Sequence, residues 1–153
     1  MNTTIDSFEK AVEKLGENHP HVLQWRMFDQ SNLATAMPDV EAYVKLRVVI
    51  SAIKGDWKPT RNWRKDSSDE KEKLWMPVFE IYPKECATDE EAEEMRRGAY
   101  VLPTGEMADY VDALEVTNNG KANQFERFVF PDQCSASAFG CYFQRLLAQF
   151  LIG

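Results

Sequence analysis

One stretch, residues 40–53, limits the fold more than any other part of the sequence. It reads Val-Glu-Ala-Tyr-Val-Lys-Leu-Arg-Val-Val-Ile-Ser-Ala-Ile, which puts apolar residues on nearly every face of a helix. Such a helix is buried over most of its surface. Pro38 suits its first turn, and Gly55 suits the position just after its end. The sequence therefore predicts a long, central helix on which other elements pack.

Helical spacing also marks the two ends of the chain. Apolar residues three and four apart predict a first helix over 5–15 and a short second helix over 22–28. The same spacing predicts an amphipathic C-terminal helix of about four turns over 139–151. Ser135 and Ser137 are the candidates for its N-cap.

Between the long helix and the C-terminal helix the pattern changes to alternation. The predicted strands span 75–82, 99–102, 110–117 and 125–130. Pro77 restricts the first of them to an edge or an end of a sheet. The turn residues at 118–120, Asn-Asn-Gly, predict a hairpin between the last two strands. Helices followed by strands and a final helix indicate an α+β fold with a small antiparallel sheet.

Length and charge narrow the class of protein. A length of 153 residues predicts one domain, 1–153, and the sequence predicts an acidic helical insertion at residues 86–97. The net charge of −7 disfavours bulk attraction to nucleic acid or to an anionic membrane. No signal peptide or membrane span is visible, and three cysteines are too few and odd in number for a disulfide framework. We therefore expect a cytoplasmic protein without a membrane partner.

Catalytic and metal-binding patterns are weak. The two histidines, His19 and His21, stand in one turn beside a proline, and no triad, zinc or phosphate-loop motif accompanies them. The sequence therefore predicts no catalytic set, no metal and no cofactor, and a non-enzymatic protein is favoured. An acidic pair, Asp109 and Asp112, beside Arg127 is the enzyme alternative that remains open.

The segment 54–65 carries the strongest binding signal. It holds five basic residues and one acid, a local charge of +4, with two tryptophans between them. Aromatic rings beside cations suit base stacking or a nucleotide-type ligand. The alternative is that the tryptophans pin a loop to the core. The predicted ligand-binding residues are Trp57, Lys58, Arg61, Trp63, Arg64, Trp75 and Arg127.

Three segments also resemble a known family. They are residues 55–59 (Gly-Asp-Trp-Lys-Pro), residues 73–79 (Lys-Leu-Trp-Met-Pro-Val-Phe), and residues 127–130 (Arg-Phe-Val-Phe) with the helix that follows. Together they are similar to small uncharacterised proteins of Bacteroidetes genomes and their gut phages. That family has Gly-Trp-x-Pro-x-Trp, Lys-Tyr-x-Pro-Trp-Phe and Arg-Leu-Cys-Phe at these places. Val129 replaces the cysteine, and the second tryptophan of the first motif, Trp63, follows a longer gap.

The resemblance implies a small binding protein of a phage or mobile element, with countering host defence as one role. Its partner would be a host or phage protein or a nucleotide-like ligand. One alternative is a phage structural or assembly component that forms a homo-oligomer through an edge strand bearing Trp75 and Tyr82. Another is a single-stranded nucleic-acid binder that uses segment 54–65, although the net charge does not favour nucleic acid.

Overall fold

A computed structural model of the protein describes residues 4–58, 74–82, 100–101, 107–115 and 128–152. The elements are α1 (Phe8–Leu15), α2 (Pro20–Gln30), α3 (Leu33–Ala36), α4 (Pro38–Lys54), β1 (Trp75–Tyr82), β2 (Tyr100–Val101), β3 (Met107–Glu115) and α5 (Gln133–Ile152). Helices precede an antiparallel sheet and a helix follows it, so the predicted α+β class is confirmed. The predicted insertion at 86–97 and turn at 118–120 lie outside the described residues.

The predicted central helix is α4. It begins at Pro38, which needs no hydrogen bond for its missing N–H there, and it ends before Gly55 at a backbone φ of 58°. Its buried residues lie on several faces: Ala42, Val44, Leu46, Val48, Val49 and Ala52. Helices α1, α2 and α5 all contact α4, so this helix organises the helical part of the core.

Capping residues determine where the N-terminal helices begin. Ser7 accepts a hydrogen bond from the backbone N–H of Lys10, so α1 begins at Phe8 rather than at residue 5. Helix α2 is longer than the predicted 22–28 because His19 caps it through its side chain and Pro20 occupies its first turn. The short helix α3 was not predicted, and it follows Asn32, whose φ of 58° is left-handed.

The sheet has the order β1-β3-β2, with both pairings antiparallel. Trp75 pairs with Glu115 at one end of β1, and Tyr82 pairs with Met107 at the other. The register shifts between Val78 and Phe79, which is a β-bulge. Strand β1 therefore lies at an edge of the described sheet, as its proline predicts.

The predicted pairing of Phe130 with the strand at 110–117 is wrong. Phe130 instead forms an antiparallel bridge with Trp75 of β1, and Phe128 lies in a 3₁₀ turn. Phe130 is fully buried and its ring centroid lies 4.9 Å from that of Phe139 on α5. Alternation alone did not reveal this, because the position of the segment depends on an aromatic contact with a later helix.

The C-terminal helix is confirmed, but its cap is not a serine. Asp132 accepts a hydrogen bond from the backbone N–H of Ser135 at 2.8 Å, so α5 starts at Gln133. Ser137 bonds instead to the hydroxyl of Tyr110 on β3, at 3.1 Å. The helix kinks at Phe143 and buries one side against α4, β1 and β3.

Candidate functional site

Three of the seven predicted ligand-binding residues lie in the described part of the chain. They are Trp57, Lys58 and Trp75. The other four, Arg61, Trp63, Arg64 and Arg127, lie outside it, as do the acidic segment 86–97 and Cys86. Of these three side chains, Lys58 is exposed, whereas both tryptophans are partly buried.

Trp57 packs against a small apolar cluster. The cluster is formed by the buried side chains of Leu74 and Val129, and Met76 also contacts it. The ammonium of Lys54 lies 5.6 Å from the centroid of the Trp57 ring. An indole held on one side by aliphatic side chains connects the end of α4 to the start of β1. This is the anchoring role that the sequence leaves open as an alternative to ligand binding.

Lys54 is a cation placed among aromatic rings at the last turn of α4. Besides Trp57, its ammonium lies 4.9 Å from the centroid of the Phe130 ring. Burial lowers the pKa of Lys54 to about 8. A positive charge is also favoured at a helix C-terminus by the helix dipole. The cation thus helps to fasten the segment at Phe130 to α4.

Trp75 does not offer a free strand edge. Its backbone N–H donates to the carbonyl of Phe130 at 3.0 Å, and its own carbonyl accepts from the N–H of Phe130 at 2.8 Å. Because backbone groups alternate sides along a strand, the backbone of Pro77 faces the same outer side of β1 as that of Trp75. Pro77 has no N–H to donate there. Self-association through this end of β1 is therefore blocked at two positions. The side chain of Tyr82, the other residue predicted for this edge, lies outside the described part of the structure.

The histidines form part of the packing between α2 and α4 rather than a surface turn. His19 accepts from the backbone N–H of His21 and so caps α2. The half-buried ring of His21 lies 2.7 Å from the hydroxyl of Ser51 and 2.9 Å from the Arg47 guanidinium. Burial, followed by the charges of Arg47 and His19, lowers the pKa of His21.

Within the described residues neither histidine belongs to a cluster that could hold a metal ion. In the described ranges no group of three or more His, Cys, Asp or Glu side chains is arranged to hold a metal ion. Cys134 and Cys141 are both exposed and free. The same part of the chain contains no helix with the length and apolar character needed to cross a membrane.

A cavity of about 600 Å³ lies between α1, α4 and α5. Its charged lining residues are Asp6, Glu9, Glu41, Lys45 and Arg145. Glu41 and Lys45 pair with each other at 2.6 Å. Acids outnumber cations here, so the cavity is poorly suited to the phosphates of a nucleotide-type ligand.

Among the described residues, the exposed apolar side chains are most concentrated along α2, α3 and Met37, the residue that follows α3. In the described residues, eight large apolar side chains are exposed, and four of them lie within 23–37. They are Leu23, Met27, Leu33 and Met37, with exposed fractions of 47%, 72%, 47% and 44%. We call these four residues the α2–α3 apolar surface. Exposed apolar side chains this close in sequence are a candidate interaction surface, because large apolar patches on small proteins mark such surfaces.

The geometry of α2 explains why this surface faces outward. On the inner side Val22 is fully buried, and Trp25 packs edge-on against Phe8 with ring centroids 4.8 Å apart. Leu23 and Met27 are one turn apart on the other side of the same helix. With its inner side already occupied, α2 leaves Leu23 and Met27 exposed in the described part of the chain.

The sequence segment that carries these four residues holds more acids than cations. Between residues 22 and 41 the sequence has one cation, Arg26, and three acids. Arg26 makes a two-point ion pair with Glu17, whose nearer N–O distance is 2.8 Å, and Glu41 pairs with Lys45. The remaining acids, Asp29 and Asp39, make no ion pair within the described residues. Asp29 follows Val22 by seven positions and Trp25 by four, so it lies on the inner side of α2 rather than beside Leu23 and Met27.

Sequence reasoning missed this surface, although a signal was present. Residues 22–28 carry apolar side chains at Val22, Leu23, Trp25, Met27 and Phe28, which is too many for one face of a short helix. The surplus indicates either a buried helix or an exposed apolar face. Only the packing of α2 on α1 and α4 decides between them.

Comparisons with protein families, with curated proteins and with solved structures find no match to this chain. The resemblance to the Bacteroidetes and phage family stays a prediction.

Proposed function

We propose that this protein is a small non-enzymatic binding protein that engages a protein partner through the α2–α3 apolar surface. The observation that carries the proposal is the concentration of four exposed large apolar residues within 23–37. Clustered Leu and Met side chains provide an adaptable contact area for another protein. The residues beneath the surface, Val22 and Trp25, are fixed in the core and would hold it in place.

A host protein is the partner class that the family resemblance supports, with countering host defence as the role. The two exposed free cysteines, Cys134 and Cys141, are compatible with the reducing cytoplasm of a host cell. A nucleotide-type ligand receives less support, because Trp57 is packed against Leu74 and Val129.

Site-specific cross-linking tests the proposed surface. A photoreactive benzoylphenylalanine would replace Met27 in one variant and Leu114 of β3, which is 52% exposed, in a matched control. Both variants would be irradiated in cells that produce the protein. We expect one discrete protein adduct from position 27 and none from position 114. We also expect Leu23→Gln together with Leu33→Gln to abolish that adduct.

Two results would contradict the proposal. Equal labelling from positions 27 and 114 would show that contact at Met27 is nonspecific. An adduct that survives the paired glutamine substitutions would show that the apolar surface does not contribute. All the substituted residues are exposed, so circular dichroism should report an unchanged fold in every variant.

A further inference from the structure

Polar side chains connect α2 to α4. The guanidinium of Arg47 on α4 reaches two side chains of α2, because it lies 2.8 Å from the Oε1 atom of Gln24 and 2.9 Å from the Nε2 atom of His21. The Nδ1 atom of His21 lies 2.7 Å from the hydroxyl of Ser51, one turn further along α4. The His21 ring therefore takes part in two of these three contacts.

Few apolar side chains of α2 are fully buried. Of its eleven residues one, Val22, is buried, whereas α4 buries six. Trp25 is partly buried and packs against Phe8 of α1. Parts of a fold with few buried apolar contacts open locally at a lower free energy than the rest of the core. The docking of α2 thus depends more on its polar contacts than the packing of α4 does.

The contact between His21 and Arg47 requires a neutral imidazole. An arginine side chain can only donate, so Nε2 accepts and the single ring proton lies on Nδ1, toward Ser51. A second proton would have to bind at Nε2, where the new N–H would point at the guanidinium. The hydrogen bond would then be lost, and two positive charges would lie side by side between α2 and α4.

Neighbouring charges do not offset that repulsion. In the described part of the chain, the charges that act on the His21 ring belong to Arg47 of α4 and to His19, which precedes α2, and neither is an acid. No charged side chain of α1 or α3, the other helices that contact α2, acts on the ring there. Burial and the two like charges outweigh a hydrogen bond with the Arg47 backbone, so the pKa of His21 is lowered from its ordinary value of 6.5.

We propose that His21 is a pH-sensitive switch for the docking of α2 on α4. Above about pH 6.5 the ring is neutral and α2 is docked. Because the ring binds a second proton more tightly when α2 is released, acid shifts the equilibrium toward the released state. Release exposes Val22 and Trp25 to solvent while α4 and α5 stay packed together. The inference does not depend on the proposed function, although α2 also carries two residues of the α2–α3 apolar surface.

Hydrogen–deuterium exchange of the full chain, measured by mass spectrometry, tests the switch. Peptides from α2 and α5 would be compared at about pH 7.5 and 5.5, after correction for the intrinsic exchange rate. We expect the protection of α2 to fall by about 3- to 10-fold at the lower pH, since the ordinary pKa of histidine limits the effect to about 10-fold. The protection of α5 should change by less than about 2-fold.

Substitutions at three positions identify the group responsible. His21→Gln has no group that titrates in this range, and Arg47→Gln removes the positive charge beside the ring, so both should abolish most of the pH dependence in α2. His19→Asn is the matched control, because asparagine also caps a helix and leaves His21 and Arg47 in place. The pH dependence of the wild type should persist in this variant.

Four results would overturn the inference. Unchanged protection of α2 in the wild type would show that α2 stays docked at the lower pH. An equal fall in His21→Gln would assign the effect to another group, and an equal fall in Arg47→Gln would show that the guanidinium is not the cause. A parallel fall in α5 would show that acid destabilises the whole fold. Cross-linking from position 27 at neutral pH tests the proposed function separately, so either proposal can fail without the other.

Discussion

At the scale of single residues, Gly140 allows α5 to approach the sheet closely. A β-carbon at this position would overlap the ring of Tyr110 and lie 3.0 Å from the β-carbon of Pro77. The Tyr110 ring has little freedom to move, because its hydroxyl bonds to Ser137 and its ring packs edge-on against Phe79. The glycine therefore matters for packing, although it lies inside a helix where alanine is intrinsically favoured.

Gly140→Ala should accordingly lower the free energy of unfolding by about 1–3 kcal/mol, despite the gain in helix propensity. Urea unfolding would measure the change. The same substitution made in a Tyr110→Ala background should cost clearly less, because the overlapping ring is gone. An equal cost in both backgrounds would show that the ring contact is not the cause.

His21 provides a second residue-scale prediction, on pH. Arg47 can only donate, so the Nε2 atom of His21 accepts and the proton of the neutral ring lies on Nδ1, facing Ser51. Protonation would direct an N–H toward the Arg47 guanidinium. Burial of the ring lowers the pKa of His21, and electrostatic interaction with Arg47 and His19 lowers it further.

The sign of the pH effect follows from that lowered pKa. Between the folded pKa and the ordinary value of 6.5, the unfolded chain binds more protons than the folded chain. This contribution to stability is therefore complete above pH 6.5 and is lost as the pH falls through the folded pKa. Thermal melts of the wild type and His21→Gln between about pH 8 and 5 should converge as the pH falls. A constant difference between the two proteins would contradict the prediction.

At the scale of elements, a substitution of Trp57 tests whether the segment after α4 is anchored to the core or binds a ligand. Its ring packs on Leu74 and Val129, so Trp57→Ala should destabilise the protein by about 1–3 kcal/mol in urea unfolding. Lys58→Ala, at the exposed neighbouring position, should change stability by less than about 0.5 kcal/mol. Unchanged stability in Trp57→Ala, with weaker binding of a single-stranded oligonucleotide, would instead favour the nucleic-acid alternative.

Elements with a local pattern were predictable from the sequence. The predicted helix at 40–53 and the strand at 75–82 correspond to α4 and β1, because proline, glycine and periodicity act within each segment. The bridge between Phe130 and Trp75 was not predictable, because it depends on residues far apart in sequence. The α2–α3 apolar surface was missed for the same reason: which apolar face of α2 is buried depends on where α1 and α4 lie.

The candidate site shows the same division between local and non-local information. The composition of segment 54–65 predicts a binding site, yet composition does not show whether an aromatic ring faces solvent or the core. Trp57 faces the cluster of Leu74 and Val129, which come from two later parts of the chain. The exposure of Met27 likewise follows from the burial of Val22 on the inner side of its helix.

At the scale of the whole molecule, the charge and the strand edge bear on self-association. The edge of β1 is covered at Trp75 by Phe130 and lacks a donor at Pro77. Each copy also carries a net charge of −7, so two copies repel each other. A second copy would bind through the β1 edge or through the α2–α3 apolar surface. The covered edge disfavours the first mode, and the net charge disfavours both.

We therefore expect a monomer of 17.6 kDa in sedimentation velocity at low ionic strength, even in concentrated solution. Added salt screens the repulsion, so weak dimerisation would first become visible there. One variant identifies the surface responsible for any dimer. A dimer removed by Met27→Gln would show that the α2–α3 apolar surface accepts a second copy. A dimer that persists in this variant would favour pairing through β1 beyond Pro77 and would support the assembly-component alternative.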